Sequence, residues 1–226
     1  MSFELDEIIP WGRTAREYEL MFDLAEVGAV SSILGCGDGP AGFNAEMTSR
    51  GFSVISCDPI YVFSPAQIRR RFEASVEPVM SQVRARPGDY VWTHHRDPDD
   101  LLRNRQAAIG AFLADFGAED AGKRYMAGEL PNLPFADNSF DLAVCSHLLF
   151  LYSKLLSLDF HLRSVFELCR VAREARIFPL TGLNGEPSPH LVPLERELRE
   201  RGLRVEIVKV HYQLQPNGDQ MMRIWR

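Results

Sequence analysis

Ser32-Ile33-Leu34-Gly35-Cys36-Gly37-Asp38-Gly39-Pro40-Ala41-Gly42-Phe43 runs from a short apolar strand into a glycine-rich turn and then into a helix. Glycines at 35, 37, 39 and 42 let the backbone turn tightly and lie close to a ligand, because no Cβ intervenes. The amides at the start of the following helix would face that ligand. Such a loop alone is a weak signal. It gains force from Phe52-Ser53-Val54-Ile55-Ser56-Cys57-Asp58, which reads as the next strand and ends in a carboxylate. Asp58 lies 19 residues beyond Gly39, the distance at which an acid in a Rossmann-like unit meets ribose hydroxyls.

Working outward, Tyr18, Met21, Phe22 and Ala25 recur at helical spacing in a leading helix, read as cover for the sheet. The first strand is expected over about Val30 to Leu34. Asn44 to Arg50 follows as a helix, with Gly51 just past its end. From Asp58 to Glu129 the chain is far longer than the ~20–30 residues of an ordinary connection between neighbouring strands, so residues 61–124 read as an insert. Ser64-Pro65-Ala66-Gln67 starts one helix with a capping box. Ile68, Phe72, Val76, Val79, Met80 and Val83 form its stripe, and Pro78 is expected to kink it. Asp97-Pro98 starts a second helix that Gly117 closes. Each stripe is too apolar to face water alone. The two helices are expected to pack together as a cap over the pocket; the alternative is a helical extension or a homodimer contact.

Beyond the insert the α/β alternation resumes. Tyr125-Met126-Ala127 is a short strand and Asp137-Asn138-Ser139 a turn. Phe140 to Cys145 is a buried strand, followed by a helix through His161 to Ala172 and a strand from Ala175 to Leu180. Ser188-Pro189 is expected to cap a helix ending at Gly202. Arg204 to Val210 and Gln220 to Trp225 form an antiparallel pair around the turn Pro216-Asn217-Gly218-Asp219. This order predicts one α/β domain over 1–226, with a mostly parallel sheet and one reversed strand.

Composition narrows the function. With 226 residues, 46% of them hydrophobic, and a net charge of −6, the chain supports a sizeable core and has no global field for nucleic acid. The start, Met1 to Glu7, is acidic and interrupted, unlike a signal peptide. No apolar run reaches the roughly 20 residues of a membrane span. Cys36, Cys57, Cys145 and Cys169 lack paired metal-ligand spacing, so the expectation is a reducing, cytoplasmic setting with no metal site and no membrane partner. His94-His95 reads as a solvated or partly packed loop, and Arg69-Arg70-Arg71 as a solvated helix face.

At three places the chain resembles the class I S-adenosylmethionine-dependent methyltransferases. Ile33-Leu34-Gly35-Cys36-Gly37-Asp38-Gly39 is similar to the family's loop under the methionine part of the cofactor. Cys57-Asp58-Pro59 is similar to its ribose-binding strand end. The run from Glu129-Leu130-Pro131 through Phe140-Asp141-Leu142 looks like its adenine-side motif and fourth strand, and Glu167-Leu168-Cys169-Arg170-Val171 like the helix that follows. The resemblance implies a three-layer Rossmann-like sandwich with a seven-stranded sheet. It also implies S-adenosylmethionine as cofactor, held by Gly35, Cys36, Gly37, Asp38, Gly39, Asp58, Pro59, Glu129, Leu130 and Ser146, and methyl transfer to a small molecule. One departure stands out: Gly35 lies where the family usually carries Asp or Glu, with Asp38 nearby as a substitute. That departure supports a rival reading, a catalytically inactive cofactor-binding protein. A nicotinamide-dependent oxidoreductase is weaker, because Tyr152-Ser153-Lys154 lacks the Tyr-x-x-x-Lys dyad of short-chain dehydrogenases. The strand-end motif that the family uses on base amines is also absent, since Cys145-Ser146-His147-Leu148 stands there. Beyond the strand end, His147 is the candidate base, with Tyr152 close enough in sequence to assist; the alternative is that His147 packs and only orients its loop.

Overall fold

The computed structural model describes residues 5, 7–26, 32–119 and 121–226. It has seven strands in one sheet: β1 (Ile33–Cys36), β2 (Val54–Cys57), β3 (Tyr125–Met126), β4 (Phe140–Ser146), β5 (Ala172–Phe178), β6 (Arg204–Lys209) and β7 (Gln220–Trp225). Their spatial order is β3-β2-β1-β4-β5-β7-β6. All pairings are parallel except those of β7, which runs antiparallel to β5 and β6. The sheet is therefore the mostly parallel Rossmann-like sheet with one reversed strand that the alternation predicted. The order turns back on itself between β1 and β4, and in open α/β sheets ligands bind beyond the carboxyl ends of the strands at such a reversal.

Among the described residues six α-helices accompany the sheet: α1 (Ala15–Phe22), α2 (Phe43–Ser49), α3 (Pro65–Ala85), α4 (Pro98–Phe116), α5 (Leu158–Val171) and α6 (Leu191–Glu200). Two apolar layers hold them. One packs α5 and α6 residues such as Val165, Leu168 and Leu194 against Ala143, Cys145 and Ile177 of β4 and β5. The other packs Tyr18, Met21 and Phe22 of α1 and Phe43 and Met47 of α2 against Ile33, Val54 and Val144. Each β4 residue from Leu142 to Ser146 is buried, as expected of a strand covered on both faces.

The insert is the helical pair expected. Ser64 caps α3 with the reciprocal box to Gln67, and Asp97 caps α4 by accepting from Asp100 N–H. The helix α3 continues through Pro78 as one span. It packs on α4 through Ile68 and Phe72 against Ile109 and Phe112, with Tyr61 and Tyr125 in the same cluster. Glu17 of α1 and Arg105 of α4 form a buried ion pair, with both Glu17 oxygens 2.8 Å from one guanidinium nitrogen.

Several boundaries differ from the sequence expectations. Val30 and Ser31 lie outside the described residues, and β1 runs on through Gly35 and Cys36 because parallel pairing to Ser56 and Cys57 continues there. Ala172 belongs to β5, not α5, since it pairs with Phe140. Helix α6 begins at Leu191, after His190; the Ser188 hydroxyl accepts from His190 N–H instead of capping a helix at Pro189. The turn near Asn217 (φ 60°) is real, but it lies within a longer connection between Lys209 and Gln220.

Candidate active site

A cavity of about 1000 Å³ opens at the carboxyl ends of β1, β2 and β4. Cys36, Gly37, Asp38, Gly39, Asp58, Pro59, Glu129, Leu130, Ser146, His147 and Tyr152 all line it. Of the candidate cofactor and catalytic residues, only Gly35 does not. Its place is underneath: a Cβ built on Gly35 would lie 2.6 Å from Asp38 Cγ, so the Asp38 carboxylate fills the space of a side chain at 35.

Two aspartates define the floor. Asp38 is 5% exposed; Tyr18 donates its hydroxyl to Oδ1 at 2.8 Å and Ser56 to Oδ2 at 2.6 Å. Burial raises its pKa to about 7, against the pull of those two donors. Asp58 accepts from Gly39 N–H at 2.8 Å and from Ile60 N–H at 2.9 Å. It thus caps the short turn at Pro59–Val62 and ties β2 to the glycine loop, and burial raises its pKa to about 6. Tyr61 donates its hydroxyl to Gly39 O at 2.8 Å and fixes the same loop from the insert side.

Within the loop, Gly37 (φ 68°) and Gly39 (φ 58°) adopt the left-handed region that glycine tolerates. A Cβ on Gly37 would strike the Leu148 side chain at 2.6 Å, whereas one on Gly39 would meet nothing within 4 Å. On the far side, α5 secures the Glu129 loop. Glu167 accepts from Leu133 N–H at 2.7 Å, and Arg170 donates to Phe135 O at 2.9 Å. Leu130 is buried and Glu129 exposed at the rim.

His147 also has a left-handed backbone (φ 53°), uncommon for a residue other than glycine, and its N–H donates to Phe178 O at 2.6 Å. Its Nδ1 is 2.9 Å from Ser146 Oγ. The Ser146 hydroxyl also lies 3.9 Å from Met21 Sδ, so it serves Nδ1 as donor or as acceptor according to the tautomer. Burial and the nearby Arg13 and Arg105 hold its pKa well below the usual histidine value, so the ring is neutral near pH 7. Tyr152 stands at the wall, but its hydroxyl accepts from Ile9 N–H at 3.3 Å, and burial raises its pKa.

Arg13 escaped sequence reading. It precedes the α1 cap Thr14 and lines the cavity. It donates to Trp11 O at 2.9 Å, while its Nε is buried without a hydrogen-bond partner. Burial and Arg105 lower its pKa to about 10. No spacing rule marks it, because its place depends on Gly42 N–H donating to Arg13 O across the glycine loop. Tyr18, read only as core cover, proves to be a ligand of Asp38 as well. His95 is buried, with Nε2 3.5 Å from Glu17 Oε1, whereas His94 is exposed and stacks on Tyr212, so the pair is a partly packed loop as expected. Among the described residues no three His, Cys, Asp or Glu side chains gather to hold a metal ion.

No family model matches the chain. Over 98% of its length it is 29% identical to an uncharacterized protein of Methanocaldococcus jannaschii, covering 98% of that protein. Among solved structures it is similar to a SAM-dependent methyltransferase from Aquifex aeolicus, with 16% identity, coverage of 92% of this chain and 90% of that one, and a TM-score of 0.45. It is similar too to a protein of Methanococcus maripaludis described as an S-adenosyl-L-methionine-dependent methyltransferase, with 13% identity, 100% and 97% coverage, and a TM-score of 0.47. The chain spans 55% of the longer protein TnmH, whose structure it also resembles at 14% identity, over 93% of its own length with a TM-score of 0.47.

Proposed function

We propose that this chain is an S-adenosylmethionine-dependent methyltransferase acting on a small molecule. The observation that carries this is the convergence of the glycine loop, Asp58 and the Glu129–Leu130 loop on one cavity at the sheet's reversal point. The residues suit the cofactor group by group. Asp58 retains lone pairs for ribose hydroxyls beyond its two amide contacts. Leu130 offers an apolar face for adenine, and Glu129 an acceptor for its amine. Asp38, placed where a side chain at 35 would stand, offers a carboxylate to the methionine ammonium. Arg13, with an unpartnered buried Nε, offers a cation to the methionine carboxylate.

When bound, the cofactor supplies a methyl group already activated by its sulfonium. The protein then needs to orient an acceptor and exclude water. His147, neutral and lining the cavity, takes the proton of an acceptor that must lose one. Ser146 orients the ring through its contact with Nδ1. Tyr152 positions the N-terminal segment over the site through Ile9.

The inactive-binder reading drew its support from Gly35, and Asp38 answers that objection in space. A nicotinamide site is the weaker reading, since Tyr152-Ser153-Lys154 lacks the Tyr-x-x-x-Lys dyad. We assign the chain to the cytoplasm; no helix among the described residues is long and apolar enough to cross a membrane. The insert serves as a cap, with α3 as the cavity wall and α4 bracing it on α1. Protection of 61–124 from hydrogen exchange should rise with cofactor, and unchanged protection would count against a cap.

Titration calorimetry with S-adenosylmethionine and S-adenosylhomocysteine tests the assignment. Both should bind, and Asp58→Ala should weaken them by ~1.5–3 kcal/mol, the worth of hydrogen bonds to a charged group. Absence of binding to the wild type would reject it.

A further inference from the structure

The cofactor-binding residues account for only one end of the cavity. The rest extends away from the glycine loop between α3, the N-terminal segment and the chain after β4. A volume of about 1000 Å³ is at the upper end of the roughly 300–1,000 Å³ of small-molecule sites, enough for two ligands side by side. The walls of this second chamber are Val79 and Val83 of α3, Trp11, Leu151, Phe160 and Leu214.

Its polar groups are largely committed to the protein. Trp11 donates its indole N–H to Ser75 Oγ at 2.9 Å, and Ser75 donates to Phe72 O at 2.7 Å. Tyr212 donates its hydroxyl to Glu17 at 2.9 Å. Gln215 donates its amide to Leu183 O at 3.0 Å. The Tyr152 hydroxyl oxygen accepts from Ile9 N–H. Apart from the exposed Glu7 and Arg71, a hydrophilic acceptor would therefore lose its water and find few replacement partners along these walls. An apolar one gains from burial of its surface. The imidazole of His147, held by Ser146 at the end of β4, lines the cavity beside the glycine loop.

We propose that the methyl acceptor is a largely apolar, aromatic-sized molecule carrying one hydroxyl, its body held in the chamber and its hydroxyl directed at His147. This rests on the methyltransferase reading. The acceptor O–H bond breaks and its proton passes to His147 Nε2. An oxygen–carbon bond to the methyl group forms while the carbon–sulfur bond breaks, its electron pair remaining on sulfur. The products are a methyl ether and S-adenosylhomocysteine, and the proton leaves His147 for solvent.

The test uses 2-naphthol as probe and 3,4-dihydroxybenzoate as its hydrophilic counterpart. Binding of each is measured by calorimetry on the full chain saturated with S-adenosylhomocysteine. 2-Naphthol should bind at least tenfold more tightly. Ala74, exposed on α3 and lining the chamber, can be enlarged without entering the core. Ala74→Trp should weaken 2-naphthol at least tenfold and leave S-adenosylhomocysteine affinity within twofold. Equal or tighter binding of 3,4-dihydroxybenzoate would overturn the proposal, as would 2-naphthol binding that Ala74→Trp does not change. Both outcomes presuppose bound S-adenosylhomocysteine and so leave the methyltransferase reading standing; failure of S-adenosylhomocysteine itself to bind removes both.

Discussion

The Asp38 carboxylate occupies the volume that a side chain on Gly35 would need. The pair thus exchanges positions: the acid arises three residues later in the loop and folds back over the strand end. Tyr18 from α1 and Ser56 from β2 hold it there. The relationship predicts strong coupling. Gly35→Ala alone should lower the melting temperature and cofactor affinity, because the new methyl overlaps Asp38. Asp38→Ala alone should cost ~1–3 kcal/mol, by leaving buried donors without an acceptor. In the double variant the overlap is gone, so its loss should fall short of the sum by 0.5–3 kcal/mol. Additive losses in thermal and calorimetric measurements would show that the two positions do not share space.

The raised pKa values make an opposite pair of pH effects. Asp38 at about 7 and Asp58 at about 6 both exceed their unfolded value of 3.8. Between pH 4 and 7 the native chain therefore binds more protons than the unfolded one, and the ligand-free protein should lose stability as pH rises through that window. Cofactor binding should run the other way. An ammonium beside Asp38 favours the ionised carboxylate, so affinity should rise about fivefold from pH 6 to pH 7, with proton release. Calorimetry in buffers of different ionisation enthalpy reads the protons directly. Asp38→Asn should flatten the profile, and a wild type that releases no proton contradicts the assigned role.

Arg13 should distinguish ligands by their carboxylate. Wild type should bind S-adenosylhomocysteine far better than 5′-methylthioadenosine, which lacks the amino-acid end. In Arg13→Met the affinity for S-adenosylhomocysteine should drop by ~1.5–3 kcal/mol while that for 5′-methylthioadenosine stays unchanged. Equal losses for both ligands would place Arg13 in the scaffold only.

His147→Ala should preserve cofactor affinity and melting temperature while turnover falls by ~10²–10⁴. The acidic limb of the wild-type rate profile should lie below the ordinary histidine pKa of 6.5, because burial, Arg13 and Arg105 disfavour the imidazolium. Rates measured from pH 4.5 to 8 would show it. A limb that persists in the variant belongs to another group.

The sequence by itself determined the frame. Apolar runs ending in glycine or acid marked β1 and β2, the caps at Ser64 and Asp97 marked the insert helices, and the two closing strands implied the reversed β7. These signals are local: a cap, a turn or an alternating run acts within a few residues, so one chain segment carries it. Spacing also brought Asp58 to the glycine loop, because the carboxyl ends of neighbouring parallel strands must lie side by side, whereas Glu129 was marked by the resemblance of its stretch to the family's adenine-side motif. The use of each group emerged only on folding. Asp38 takes its place from Gly35, Tyr18 and Ser56; Arg13 enters the cavity because its carbonyl is tied to Gly42. His147 depends on a left-handed backbone and a hydrogen bond to Phe178, and the acceptor chamber on α3 lying against the N-terminal segment. Those relations join residues far apart in sequence, and burial, which sets their charges, exists only once the chain has closed around them.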